Sequence, residues 1–105
     1  MMIRKAFKMK LYKGMELEYQ RRHEKIWPEV KHMIKESGIS NYSIFWDNET
    51  DVLFAYMEIE ESKSDQAMAA NEIREKWWKY MCDIMETNDD NSPVSSDLFD
   101  LFHID

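Results

Sequence analysis

Glycine, proline and cysteine are all scarce in this 105-residue chain, which contains two glycines, two prolines and one cysteine. The glycines, Gly14 and Gly38, lie far apart, so the chain has no glycine-rich phosphate loop and nucleotide-dependent chemistry is disfavoured. Cys82 has no second cysteine with which to form an internal disulfide, and this suits a reducing compartment. With 44% hydrophobic and 33% charged residues, the chain is expected to be globular rather than disordered or fibrous.

Long apolar runs are also missing. Residues 1–11 alternate charged with apolar side chains, so neither a signal peptide nor a membrane span is expected. The net charge is −7, whereas phosphate binding requires a basic surface. The sequence therefore predicts a cytoplasmic protein without a nucleic-acid or membrane partner.

Apolar side chains recur with two different periods, and the order of these periods predicts the fold. The expected elements are a strand at 3–11, a helical segment at 15–36, strands at 39–47 and 52–59, a helical segment at 62–85 and a short strand at 98–104. This β-α-β-β-α-β order is that of a ferredoxin-like α+β fold, with helices on one face of an antiparallel sheet. A single domain over residues 1–105 is expected.

Two details of this fold follow from local sequence. Pro28 cannot donate to the carbonyl of Glu24 and disfavours a helical conformation at Trp27, so the first helical segment should break near residues 24–27. The strand at 52–59 is apolar on both faces and should lie inside the sheet. The sheet face away from the helices also carries large apolar residues, which predicts a homodimer with its sheets face to face, a dimeric α/β barrel.

Tyr19 and His23 lie one turn apart on the apolar side of the first helical segment. Imidazole titrates near pH 6.5 and can both give and take a proton at neutral pH, whereas phenol titrates near 10 and donates hydrogen bonds. The alternative is a core histidine bonded to a backbone carbonyl, which the helical pattern alone favours. His23 and His32 do not have the i,i+4 spacing of a helical metal pair, and no metal site is predicted.

The adjacent pair Trp77 and Trp78 cannot both face one core line of a helix. Core packing plus an interface is the simpler interpretation, and a stacking platform for a sugar ring is the alternative. The polar loop at 87–97 either presents Asn91 and Ser92 to a polyol or only forms caps and turns.

Seven short motifs follow one another along nearly the whole chain. They are MIRKAF (2–7), EYQRRH (18–23), IWPE (26–29), NY (41–42), LFA (53–55), WWKYM (77–81) and NSPVSS (91–96). In this order and spacing they resemble the L-rhamnose mutarotase family. The chain departs from the family at KLYKGMEL (10–17) and LFDLFHID (98–105), segments that bear on the dimer edge rather than on the pocket.

The resemblance implies a dimeric ferredoxin-like fold and the interconversion of the α and β anomers of L-rhamnose without a cofactor. It implies that His23 is the proton donor and that Tyr19, Tyr42, Trp77 and Trp78 contact the sugar. Mutarotation opens a cyclic hemiacetal and closes it on the other carbonyl face, so it requires only proton transfer. Apolar selection of one methyl group is worth about 1–3 kcal/mol, so some activity on related sugars such as fucose is expected.

Two alternative functions remain on the same fold. One is a cofactor-free monooxygenase or lactone isomerase, which would bind a flat apolar substrate. The other is a non-catalytic sugar-binding or interaction module. The hydroxyl-bearing loop at 88–96 favours a polyol over a flat aromatic substrate.

Overall fold

The computed structural model describes residues 1–68 and 71–105, and its elements follow the predicted order. They are β1 (Met2–Lys10), α1 (Glu16–Glu24), α2 (Pro28–Glu36), β2 (Ile39–Trp46), β3 (Val52–Glu60), a 3₁₀ turn (Glu61–Lys63), α3 (Ser64–Met68), α4 (Glu72–Met81) and β4 (Ser96–Leu98). The strands form one antiparallel sheet in the order β2-β3-β1-β4, the ferredoxin-like arrangement. The predicted α+β fold is confirmed, and β3 lies inside the sheet as expected.

The core lies between the sheet and the helices. In the β1–β3 register Met9 stands opposite Leu53 and Phe7 opposite Ala55, so these four side chains share the helix-covered face. The buried residues that form this core are Met9, Leu11, Tyr19, Leu53, Ala55, Met81, Ile84 and Met85. Tyr19 is the contribution of α1, and it anchors that helix on the sheet.

The break in the first helical segment occurs where Pro28 predicts it. α1 ends at Glu24, Trp27 is extended with φ −59° and ψ 135°, and α2 opens with Pro28 at its first turn. After α2 the chain turns at Gly38, where φ is +79°. A Cβ atom there would lie 3.0 Å from the Cβ atoms of both Glu60 and Lys63, so conformation and space both require glycine.

The prediction of one continuous helical segment at 62–85 was wrong, because the structure has more than one element in this range. The 3₁₀ turn and α3 cover its first part, residues 69 and 70 lie outside the described residues, and α4 is a separate helix from Glu72 to Met81. Asn71 is extended, and its side chain accepts hydrogen bonds from the backbone N–H groups of Ile73 and Arg74. This N-cap starts a new helix. No helix among the described residues has the length and apolar character needed to span a bilayer.

The apolar period continued past the end of α4 because the core does. Ile84 and Met85 are buried although they follow the helix, and Met85 forms an isolated antiparallel bridge with Leu11. The spacing of Ile84 and Met85 therefore indicated that these residues are buried, but not that they are helical.

The last strand was also predicted in the wrong place. β4 spans Ser96–Leu98 and pairs with residues 6–8 of β1, whereas 99–105 form no regular element. Asp100 accepts hydrogen bonds from the Arg4 guanidinium and from the backbone N–H of Phe102, which holds the chain in a bend after β4. The apolar residues that suggested a strand find no cover here, and Leu101 is 95% exposed.

A β-bulge in β2 decides which side chains face the helices. Ile39 pairs with Ile59 and Ile44 with Ala55, with a register shift between Ser40 and Ser43. The extra residue inverts the alternation, so Ile39 and Ile44 lie on the same, helix-covered face. Tyr42 lies two residues before Ile44, and both residues line the same side of the sheet.

The other face of the sheet is open in the single chain. Phe45 of β2 stands opposite Phe54 of β3, and these residues are 68% and 39% exposed. Leu98 of β4, paired with Ala6, adds a third apolar side chain to this face. We refer to Phe45, Phe54 and Leu98 as the open-face cluster.

Replacing Leu53 with alanine tests the position of the core. Leu53 is 1% exposed, and truncating a leucine buried to this extent should lower the free energy of unfolding by about 2–5 kcal/mol. Leu17→Ala is the matched control, because Leu17 is 74% exposed and its loss should change stability by less than about 0.5 kcal/mol. Denaturant unfolding measures both, and equal effects in the two variants would contradict this core.

Candidate active site

An open cavity of about 1240 Å³ lies between the helix-covered face of the sheet and helices α1, α2 and α4. Its wall includes all five residues singled out from the sequence, namely Tyr19, His23, Tyr42, Trp77 and Trp78. The structure thus brings together residues from α1, β2 and α4 that are up to 59 positions apart in the chain. Among the described residues, no group of three or more His, Cys, Asp or Glu side chains is arranged to hold a metal ion.

His23 is half-buried in this wall and is fixed by one hydrogen bond. Its Nδ1 lies 2.9 Å from the carbonyl oxygen of Tyr19, and because a carbonyl oxygen can only accept, Nδ1 carries the proton. In the neutral ring Nε2, on the other side of the imidazole, then has a free lone pair. Burial lowers the pKa of His23 and outweighs the bond to Tyr19, which raises it, so the neutral form is favoured.

Aromatic rings flank the imidazole on two sides. The Tyr19 ring stacks on it with centroids 4.3 Å apart, and Trp77 meets it edge-on at 5.5 Å. Behind Trp77 lie Trp27 at 5.1 Å and Tyr80 at 5.5 Å. These contacts leave the ring little freedom to rotate.

The two phenols that line the cavity remain protonated at neutral pH. Burial raises the pKa of Tyr19, and the nearby Tyr42 phenol adds to the shift. Desolvation also raises the pKa of Tyr42 to about 12, although 37% of that residue is exposed. Both phenols can donate hydrogen bonds to an oxygen-rich ligand, and neither serves as a base in its resting form.

A model of L-rhamnose mutarotases matches residues 4–104. The chain belongs to the L-rhamnose mutarotase family. The L-rhamnose mutarotases of Lachnoclostridium phytofermentans and Bacteroides thetaiotaomicron are 55% and 52% identical to it over 104 residues, which is 99% of this chain and 100% of each relative.

A solved structure of the family is also similar. The crystal structure of L-rhamnose mutarotase from Formosa agariphila superposes with a TM-score of 0.89 and 48% sequence identity, covering 98% of this chain and 99% of the other. The family match and the structural similarity therefore both extend over nearly the whole of this L-rhamnose mutarotase family member.

The two adjacent tryptophans have different surroundings, as the sequence suggested. Trp77 packs against the buried core while lining the cavity. Trp78 lines the cavity and carries the Arg74 guanidinium over its ring, 4.9 Å from the centroid. The cation covers part of the Trp78 ring and so contributes to its orientation.

The polar loop before β4 is shaped by its own hydrogen bonds. The Asn88 side-chain amide donates to Ser92 Oγ at 3.0 Å, and the backbone N–H of Ser92 donates to Asp90 Oδ1 at 2.9 Å. Asn91 has φ 70°, a left-handed conformation that asparagine tolerates. Because Asn91 and Ser92 also line the cavity, the turn-forming and ligand-facing interpretations of this loop are compatible.

Trp46 and Arg74 are among the residues of the cavity wall that sequence reasoning missed. Trp46 lies four residues after Tyr42 in β2 and so shares its face, which means that the two-residue period of the strand could have identified it. Arg74 lies one turn before Trp77 and Trp78 in α4, and helical spacing alone placed it on their side.

NMR titration of His23 tests the electrostatics of the site. We expect a midpoint below 6.5, because burial disfavours the imidazolium, and a proton on Nδ1 in the neutral form. The unfolded chain then binds the proton more readily, so stability present above about pH 6.5 should be lost as the pH falls. His23→Gln, which identifies the signal, should reduce this loss. A midpoint above 6.5 would contradict the assignment.

Proposed function

We propose that this chain interconverts the α and β anomers of L-rhamnose and that His23 carries out the proton transfer. The observation that supports this most directly is the hydrogen bond from His23 Nδ1–H to the Tyr19 carbonyl, which reserves Nε2 for a ligand in the cavity. Family membership supplies the substrate class, since the relatives described above are named for L-rhamnose mutarotation.

In the proposed reaction one imidazole nitrogen serves two oxygens of the sugar. Neutral Nε2 accepts the proton of the anomeric hydroxyl, the bond between C1 and the ring oxygen breaks, and its electron pair goes to the ring oxygen. That oxygen then takes the proton from Nε2, which gives the open-chain aldehyde. Rotation about the C1–C2 bond presents the other carbonyl face, and the same transfers in reverse close the ring as the other anomer.

This scheme keeps His23 as the donor to the ring oxygen, and it explains why a neutral resting imidazole is suitable. Both oxygens are attached to C1, so a ring held near that carbon reaches each of them in turn. No group leaves and no electrons are exchanged with another molecule, so we propose that the reaction requires neither a metal nor a cofactor.

The remaining wall residues hold the sugar in this proposal. The protonated Tyr19 and Tyr42 phenols donate hydrogen bonds to sugar oxygens, while Trp77 and Trp78 offer ring surface to its C–H groups and to the C6 methyl. Cys82 is a free thiol, which suits the reducing cytoplasm as the location of the reaction.

Replacing His23 tests the reaction. One positioned acid–base group typically contributes roughly 10²- to 10⁴-fold in rate, so His23→Ala should slow catalysed anomer exchange by about that factor. L-rhamnose binding should persist, because the phenols and tryptophans remain. Saturation-transfer NMR on L-rhamnose measures the exchange.

His32→Ala is the matched control for this experiment. His32 lies exposed on α2, 2.9 Å from Glu36, and is not part of the cavity wall. Its exchange rate should equal that of the original protein. If His23→Ala also left exchange unchanged while the sugar remained bound, the role given to His23 would be wrong.

We also propose that two copies of the chain pair through their open faces. The open-face cluster is supplemented by four strongly exposed apolar residues after β4, namely Phe99, Leu101, Phe102 and Ile104. Large apolar patches are uncommon on a soluble monomer, so this number of exposed apolar side chains favours a covered surface. The partner we propose is a second copy, because a two-fold axis would bury the cluster and these residues of both chains in one interface.

The charges on this face fit pairing with itself. Arg4, Lys8 and Lys10 alternate along β1 with the apolar positions of the other face. On β3, Glu58 stands opposite Arg4 and Glu60 opposite Met2. A surface that carries both signs can meet its own copy with opposite charges in contact, whereas a surface of one sign would repel itself.

Phe45→Asp tests the dimer. A carboxylate at this position would be buried without a partner in the interface, so light scattering should give a dimeric mass for the original protein and a monomeric mass for the variant at micromolar concentration. Leu17→Asp, an exposed change outside the open face, should remain dimeric. A monomeric original protein would refute the pairing.

A further inference from the structure

The Arg22 side chain makes hydrogen bonds to three residues, and Arg22 is not part of the cavity wall. Only 10% of its side chain is exposed. Nε donates to Glu18 Oε2 at 2.7 Å, within the same helix. Nη1 donates to the carbonyl oxygen of Tyr80 at 2.7 Å and to Asp83 Oδ1 at 2.9 Å, and Nη2 lies 3.2 Å from Asp83 Oδ2. The guanidinium therefore joins α1 to the C-terminal end of α4.

The chemistry of these contacts suits arginine. The planar fork meets the Asp83 carboxylate with two nitrogens, an arrangement that lysine cannot reproduce. The Tyr80 carbonyl belongs to the last turn of α4, where carbonyls lack helical partners and a cation is favoured by the helix dipole. Hydrogen bonds from Arg21 and Arg22 lower the pKa of Glu18 to about 2, so that carboxylate stays ionised.

α1 has few other contacts that fix its rotation. It contains nine residues, Tyr19 is its buried residue, and among the described residues no side chain hydrogen-bonds to cap its N-terminus. Arg22 and His23 are neighbours, so their side chains leave the helix about 100° apart. A rotation of α1 that released Arg22 from α4 would turn His23 by the same angle.

The same arginine also contacts the aromatic group behind the imidazole. Its Cζ lies 4.5 Å from the centroid of the Tyr80 ring. Tyr80 packs on Trp27 at 5.2 Å and on Trp77 at 5.5 Å, and Trp77 meets the His23 ring at 5.5 Å. Arg22 thus holds both the helix that carries His23 and the rings that pack against it.

We propose that Arg22 is a positioning residue that fixes the imidazole of His23 against Trp77 by joining α1 to the end of α4. The inference rests on the proposed role of His23, since Arg22 acts on the reaction only through that ring. Arg22 is not among the residues that line the cavity.

Arg22→Lys and Arg22→Met test the proposal against Arg21→Lys and Arg21→Met. Arg21 is the matched control: it bonds to the same Glu18 at 2.8 and 2.6 Å and also interacts with the Tyr80 phenol, but its side chain is 52% exposed. The bonds to the Tyr80 carbonyl and to Asp83 are those of Arg22. A displaced acid–base group is costly, so kcat should fall about 10-fold or more in both Arg22 variants while KM changes less than about 3-fold. Both Arg21 variants should keep kcat and KM within about 2-fold.

NMR of the imidazole separates positioning from general stability. In folded Arg22→Met the His23 ring should show an altered titration midpoint and a weakened Nδ1–H signal, and in Arg21→Met it should match the original protein. A purely structural role would lower the unfolding midpoint without changing these signals. Unchanged kcat and His23 signals in the Arg22 variants, or equal losses in the Arg21 variants, would overturn the proposal.

Asp83→Ala keeps the inference testable if the Arg22 variants fail to fold. The Asp83 side chain is 64% exposed, so its loss should be tolerated while it removes two of the bonds to the guanidinium. We expect a smaller fall in kcat with the same change in the His23 signals, and no change in either would overturn the proposal. If the original protein did not exchange rhamnose anomers, the proposed function would fail, whereas the His23 signals would still report on Arg22.

Discussion

His23 donates from Nδ1 to the carbonyl oxygen of Tyr19, one turn earlier in α1, across 2.9 Å. The bond fixes which ring nitrogen carries the proton, and burial keeps the ring neutral, so that Nε2 is the group available to a ligand. Every chemical inference about the cavity depends on this arrangement. The surrounding phenols are too weakly acidic to replace the imidazole, because burial raises the pKa of both Tyr19 and Tyr42.

The scaffold around that bond has two sources of rigidity. On one side Tyr19 enters the core and holds α1 on the sheet. On the other side Arg22 bonds to the end of α4, and Trp77 packs edge-on against the imidazole. The apolar contacts resist separation of the layers, whereas the directional hydrogen bonds of Arg22 resist rotation of the helix. A nine-residue helix with a single buried residue requires both.

Most of the fold could be predicted, because the spacing of apolar residues along the chain differs between strands and helices. The five site residues named from the sequence also lie in the cavity wall. Alternation and helical spacing predicted the order of elements, and Pro28 predicted the break after α1. The helix at 62–85 was predicted too long because Ile84 and Met85 are buried without being helical, and spacing does not separate burial from conformation. β4 was misplaced because Leu101 and its apolar neighbours alternate like a strand but have no cover within one chain. The contacts of Arg22 were not predicted, since long-range ion pairs leave no period in a sequence.

The register shift between Ser40 and Ser43 in β2 has a consequence for how this strand can change in evolution. Successive side chains of a strand face opposite sides of the sheet, as Ile44, opposite Ala55, and the neighbouring Phe45, opposite Phe54, do. Deleting the extra residue of the bulge would exchange the two sets of positions before it and present Ile39 to the wrong side. A change of one residue in the length of β2 would move side chains to the wrong face, whereas a change of two residues would keep each on its own face. The length of β2 should therefore be constrained more tightly than the identity of its polar residues.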